Sequence, residues 1–143
     1  MKPLSEYAIR PGDWHADRAI LRAIREEVFV REQSVPAEME MDEFDAQSHH
    51  VVATADGVAI GTGRLLPDGH IGRMAVLGKW RNQGVGSALL VALIDEARKR
   101  GVSRVVLNAQ IHALPFYLRH GFQAEGEEFL DAGIAHRRMW RDL

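Results

Sequence analysis

A chain of 143 residues with 46% apolar and 27% charged side chains suits one domain over residues 1–143, built on one hydrophobic core. Its 18 Lys and Arg against 20 Asp and Glu leave a formal net charge of −2, no bulk electrostatic case for nucleic acid or an anionic membrane. No apolar run approaches a membrane span, the N-terminus lacks a signal-peptide core, and the absence of Cys excludes disulfides and a thiolate nucleophile, so a cytoplasmic protein is expected.

Tyr7-Ala8-Ile9-Arg10 reads as a short first strand closed by Pro11-Gly12-Asp13. Asp13 or Asp17 can cap a helix with Ile20, Leu21, Ile24 and Val28 on one face and Arg25, Glu26 and Glu27 on the other, running out near Val30-Arg31. A loop or short helix follows, and its acidic run from Glu38 to Asp45 is by default a solvated face. Two strands, His49 to Thr54 and Val58 to Leu66, flank the hairpin signal Asp56-Gly57, and Pro67-Asp68-Gly69 turns into a third, Ile71 to Val76.

Leu77-Gly78-Lys79-Trp80 makes a short turn before Arg81-Asn82-Gln83-Gly84-Val85-Gly86-Ser87. Leu89, Leu90, Leu93, Ile94 and Ala97 then recur at helical spacing, Asp95 with Lys99 and Glu96 with Arg100 stand four apart, and Gly101 stops the helix. A glycine turn at a helix N-terminus offers unpartnered N–H groups and partial positive charge, which predicts an anion cradle for phosphate or pyrophosphate with Arg81 at its rim. A Walker loop would need Lys-Ser or Lys-Thr where Ser87-Ala88 stands. A dinucleotide fingerprint would need a small residue at Leu89 and an acid at Asn108.

Val105-Val106-Leu107 reads as a buried strand able to lie parallel to the preceding one. Pro115 starts a helix with Phe116, Tyr117 and Leu118, ended by Gly121, and Phe122 to Phe129 and His136 to Trp140 close the chain around Asp131-Ala132-Gly133. The order β, α, three strands, α, β, α, two strands makes an α/β (α+β) fold with helices on a mixed sheet.

Arg81-x-x-Gly84-x-Gly86 between a strand and an amphipathic helix resembles the acetyl-coenzyme A loop of the GCN5-related N-acetyltransferases (GNAT). Phe116-Tyr117-x-x-x-Gly121-Phe122 is similar to that family's second signature. Val28-Phe29-Val30-Arg31-Glu32-Gln33, Asp42 and Asp45, Gln110-Ile111-His112 and Gly133-Ile134-Ala135-His136 resemble its ElaA/YjcF-type branch. The resemblance implies a central, mostly antiparallel twisted sheet of about six or seven strands with splayed central strands, flanked by about four helices.

It also implies an acetyl-coenzyme A-dependent N-acetyltransferase acting on a primary amine of a small molecule or peptide. Backbone groups of Met74, Ala75 and Val76 would hold the pantetheine arm, and those of Gln83, Gly84, Val85, Gly86 and Ser87 the pyrophosphate. Asn108 is either a hydrogen-bonding partner for that arm or a strand-end cap. Tyr117 matches the position of the acid that protonates the leaving thiolate, its plain alternative being a half-buried core aromatic. Glu32, Asp42, Asp45, His49 and His112 are candidates for the base, with His112 favoured by its near-neutral reference pKa. Glu32, Asp42 and Asp45 would also favour a cationic acceptor.

Arg25-x-x-x-Phe29, Asp42-x-x-Asp45 and Gly61-x-x-Arg64-Leu65-Leu66-Pro67 are also similar to acyl-homoserine-lactone synthases, although Arg64 paired to Asp42 or Asp45 would be structural. A non-catalytic acetyl-coenzyme A sensor is a third reading. No His, Asp or Glu spacing indicates a metal site, and a homodimer is compatible with the resemblance without being specified by any residue.

Overall fold

The computed structural model describes residues 6–37 and 42–143; of the acidic run, 38–41 lie outside the described residues. Strand β1 (Ala8–Gly12) leads into helix α1 (Trp14–Arg25). The Asp13 carboxylate caps α1, accepting from the His15 and Ala16 N–H groups at 3.3 and 3.4 Å. The rod then widens into a π-helical segment, Glu26–Glu32. The buried side of α1 is Trp14, Leu21, Ile24 and Arg25; Ile20, expected there, is 38% exposed, while Arg25, expected on the far side, is 1% exposed. That inversion has a polar cause: the Arg25 guanidinium meets a buried carboxylate.

Strands β2 (His49–Ala55), β3 (Val58–Leu65) and β4 (Ile71–Val76) complete an antiparallel sheet in the order β1-β2-β3-β4. Asp56 and Gly57, at φ 51° and 76°, give the β2–β3 hairpin the two left-handed central residues of a type I′ turn. Helix α2 (Val85–Lys99) packs Leu89, Leu90, Leu93 and Ile94 onto the Val51 and Ala53 face of the sheet, while α1 covers the Val52 face. Full burial of each Leu contributes roughly 1.5–3 kcal/mol. Gly61 and Gly63 in β3 allow this close approach: a Cβ on either would stand 3.0 Å from Leu89 or Leu93 Cδ1.

Strand β5 (Arg104–Gln110), helix α3 (Leu114–Arg119) and strands β6 (Gln123–Asp131) and β7 (Ile134–Asp142) follow. The second antiparallel sheet runs β5-β7-β6. The sheets join at a parallel bridge between His70 and Val106, where the Val106 N–H donates to the Gly69 carbonyl at 3.1 Å. No described ladder continues from it, so β4 and β5 start together and part. The fold class is as expected, with seven strands and splayed centre; among the described residues there are three α-helices, and the π-helical segment lengthens the first.

Candidate active site

The gap between β4 and β5 opens into a cleft of ≈ 800 Å³. Met74, Ala75 and Val76 line one wall, Leu107, Asn108 and Gln110 the other, and Gly86, Phe116 and Tyr117 its floor. A bulge shapes the first wall. Thr62 pairs with Ala75 and Arg64 with Gly72, so β4 carries one residue more than β3 there, and Arg73 takes φ 50°. Asn108 lies within β5, two residues from its end, and faces the cleft, so it is not a strand-end cap.

At the glycine turn Gly84 adopts φ 85° as the N-cap of α2, and no side chain caps the helix. The first-turn N–H groups therefore stay available to an anion. Gly84 is fixed by backbone conformation, whereas Gly86 lies inside the helix and lines the cleft; a Cβ there would meet the Phe116 ring at 3.6 Å. Val85 is buried in the core, Gln83 Nε2 donates to the Lys79 carbonyl at 3.1 Å, and Ser87 Oγ lies 2.9 Å from His120 Nε2. Arg81 donates from Nε to the Val76 carbonyl at 3.0 Å and pairs with Glu32 at 2.8 Å. Glu32 is not among the residues lining the cleft; from a neighbouring hollow beside Leu77, Gly78 and Lys79 it pairs with the arginine expected at the rim.

Tyr117 is half-buried between Phe116 and Phe122, each edge-on to it, and its hydroxyl donates to Met74 Sδ at 3.7 Å across the floor. Burial pushes its phenol up to about 12.

Asp42 and Asp45 belong to an ion cluster. Arg25 Nη2 donates to Asp45 Oδ1 at 2.7 Å, Arg64 Nη1 to the same oxygen at 2.9 Å and to Asp42 Oδ1 at 2.6 Å, and Arg73 Nη2 to Asp42 Oδ2 at 3.1 Å. Burial would raise both carboxyls, but the hydrogen bonds and charges of Arg25 and Arg64 at Asp45, and of Arg64 and Arg73 at Asp42, hold them below the ordinary carboxylate value. Asp45 is 0% exposed and out of an acceptor's reach, which corrects its assignment to substrate binding; Asp42 lines the cleft. The Arg25, Asp42, Asp45 and Arg64 pattern shared with lactone synthases is accounted for by this cluster.

His112, exposed in the turn Ile111–Ala113 after β5, lines the cleft. His49 does not: it packs near Glu96, Lys99 and Arg100 of α2, too far round the sheet to be a base in this cleft. His136, given no role on sequence grounds, does line it. Only the β5–β7 register, which sets His136 opposite Gln110, brings it there. Across the cleft mouth Gln33 and Gln110 exchange amide hydrogen bonds of 2.8 and 3.4 Å. Among the described residues no group of three or more His, Cys, Asp or Glu is arranged to hold a metal ion.

The sequence profile described as an acetyltransferase (GNAT) domain matches residues 13–143. The chain belongs to the GNAT family. As a GNAT enzyme it is an acetyl-coenzyme A-dependent acyltransferase, and its splayed strands, uncapped helix N-terminus and apolar cleft floor fit that donor. It is 46% identical over 123 residues to YjcF of Bacillus subtilis, an uncharacterized N-acetyltransferase, the match covering 83% of this chain and 88% of YjcF. Among solved structures, a putative N-acetyltransferase from Lactobacillus plantarum superposes with a TM-score of 0.87 at 27% identity, covering 96% of this chain and 98% of that one. Escherichia coli ElaA shares the fold, with a TM-score of 0.85 at 23% identity over 95% of this chain and 99% of ElaA.

Proposed function

We propose that this enzyme moves an acetyl group directly from acetyl-coenzyme A to a primary amine of a small molecule or peptide, in the cleft between β4 and β5. The observation that carries the reading is Tyr117, whose hydroxyl reaches across the cleft floor to Met74. With its pKa at about 12 the phenol keeps its proton throughout the neutral range, so it is a donor and not the base. The backbone of Gln83 to Ser87 receives the pyrophosphate, with Arg81 at its rim. The backbone of Met74 to Val76 and the Asn108 amide hold the pantetheine arm.

When bound, acetyl-coenzyme A supplies the thioester carbonyl that an uncharged amine attacks. An ammonium acceptor gives up two protons in forming the amide. One must leave before attack, so that nitrogen has a lone pair; the other balances the proton that Tyr117 donates to the departing sulfur. One C–N bond forms and one C–S bond breaks.

Thiol release across a panel of primary amines tests the reading, with acetyl-coenzyme A affinity measured by titration calorimetry. Tyr117→Phe should lower kcat roughly 10²-fold, the lower end of general-acid effects, with donor affinity intact; an unchanged kcat sinks the acid role. Gly86→Glu, free of the backbone strain any substitution brings to Gly84, should abolish donor binding. Donor binding by the wild type with no amine consumed would favour a sensor.

A further inference from the structure

We infer that His136 is the catalytic base, the group that takes the first proton from the acceptor amine. The inference rests on the amine-transfer reading above and deepens it. His136 is buried to 9% exposure in β7 and lines the cleft. Its Nδ1 lies 2.6 Å from the Ile134 carbonyl oxygen. A carbonyl oxygen only accepts, so Nδ1 carries a hydrogen and the neutral ring keeps its lone pair on Nε2. Among the described residues nothing hydrogen-bonds Nε2, yet it is not a buried unsatisfied atom; it opens onto the cleft.

The ring is also held. Phe129 of β6, its cross-strand partner, stacks on it at 5.9 Å and 22°, and Gln110 pairs with it from β5. The Gln33–Gln110 amide pair stands on the same side of the sheet, beside the ring. The titratable groups beside it are Asp131 of β6, His112 of the turn after β5 and Arg138 of β7, the last 3.6 Å from Glu125; the opposite wall adds His70, Asp42 with its partners Arg64 and Arg73, and Arg81, and the floor Tyr117. A neutral imidazole with a fixed tautomer suits a base better than exposed His112, whose ring no described partner orients. Nε2 accepts one proton from the ammonium and returns it to solvent; the nitrogen lone pair so released forms the C–N bond.

The test is the pH profile of kcat/KM with any amine the wild type consumes. His136→Asn places an amide nitrogen where Nδ1 stands, preserving a donor to Ile134 while deleting Nε2. The variant should fall at least 10²-fold at neutral pH and exchange the wild-type acid limb for one that rises only with the free-amine fraction, toward the amine's own pKa, with acetyl-coenzyme A affinity unchanged. A purely structural His136 would leave the limb in place, and a limb retained within about threefold of wild-type rate overturns the inference. Should the variant not fold, 15N NMR of the wild type decides: Nε2 must titrate at the pKa of the acid limb with Nδ1 protonated throughout, and a mismatch refutes the base. A wild type that binds acetyl-coenzyme A but consumes no amine overturns the transfer reading itself, and the base with it.

Discussion

Asp45 holds two cationic side chains on one oxygen, Arg25 at 2.7 Å and Arg64 at 2.9 Å, while its other oxygen accepts the Asp42 N–H at 3.3 Å. His50 adds a fourth contact, its Nε2 2.7 Å from the Asp45 carbonyl, and stacks on Trp14 at 5.2 Å. The cluster ties α1, the segment before β2, and β3 together. Removing the carboxylate takes a charged partner at 2.7 Å from the buried Arg25 guanidinium, while Arg64 keeps Asp42 at 2.6 and 2.8 Å, and breaking a buried pair from one side typically costs about 3–5 kcal/mol. Asp45→Asn should lose that much in urea denaturation, while the KM for the amine stays within about twofold in the fraction that folds. A raised KM at unchanged stability would restore Asp45 to the acceptor site. From sequence Arg25 read as part of a solvated face and Asp45 as a base or acceptor-site candidate with a structural pairing to Arg64 as the alternative; the burial of Arg25 against Asp45 depends on a partner 20 residues away and leaves no trace in local spacing.

At the scale of elements, the π-helical segment and the glycine turn are joined by Glu32 and Arg81. Arg81 is anchored to the Val76 carbonyl at the end of β4, and on the proposal that the donor's pyrophosphate binds at the glycine turn, that group competes with Glu32 for its guanidinium. Glu32→Gln should therefore tighten acetyl-coenzyme A binding roughly two- to fivefold, the range of an exposed ion pair, and the gain should shrink with added salt. Unchanged affinity at low salt would mean that Arg81 keeps its place with Glu32 when the donor binds. The two elements differ in legibility. Helix α2 ends where its apolar period and Gly101 put it. The π segment reads as ordinary helix because one extra residue per turn barely alters apolar spacing over two turns, yet it sets which way Val28 and Phe29 point into the cleft.

Over the whole molecule, alternation and turns made the strand order readable, and the glycine turn stands at an uncapped helix N-terminus where its motif put it, while the facing of β5 against β7 depends on register. Gln110 meets His136, and Arg64 meets Gly72 across a bulge, only once the sheets are assembled. The same assembly gives the protein a two-stage acid response. His50 is held below its ordinary 6.5, by burial first and then by the charges of Arg25 and Arg64 against the opposing Asp45 carbonyl; His49 and His120 are lowered chiefly by burial. Below about pH 6.5 the unfolded chain binds protons at these imidazoles that the folded chain refuses, so stability falls as pH falls. Asp42 and Asp45, lowered in the fold, act in the same direction at a lower range. Their contribution is complete above the unfolded value near 3.9 and is lost as pH drops below about 4 toward their folded values. Calorimetric Tm should therefore be level above about pH 7, drop a few degrees from about 6.5 to 5, and drop again below about 4. His50→Gln, whose amide can still donate to the Asp45 carbonyl, should shrink the first drop and keep the second. A Tm unchanged between pH 7.5 and 5 would show that the folded protein takes up these protons as readily as the unfolded chain, and that the His50 pocket does not resist charge.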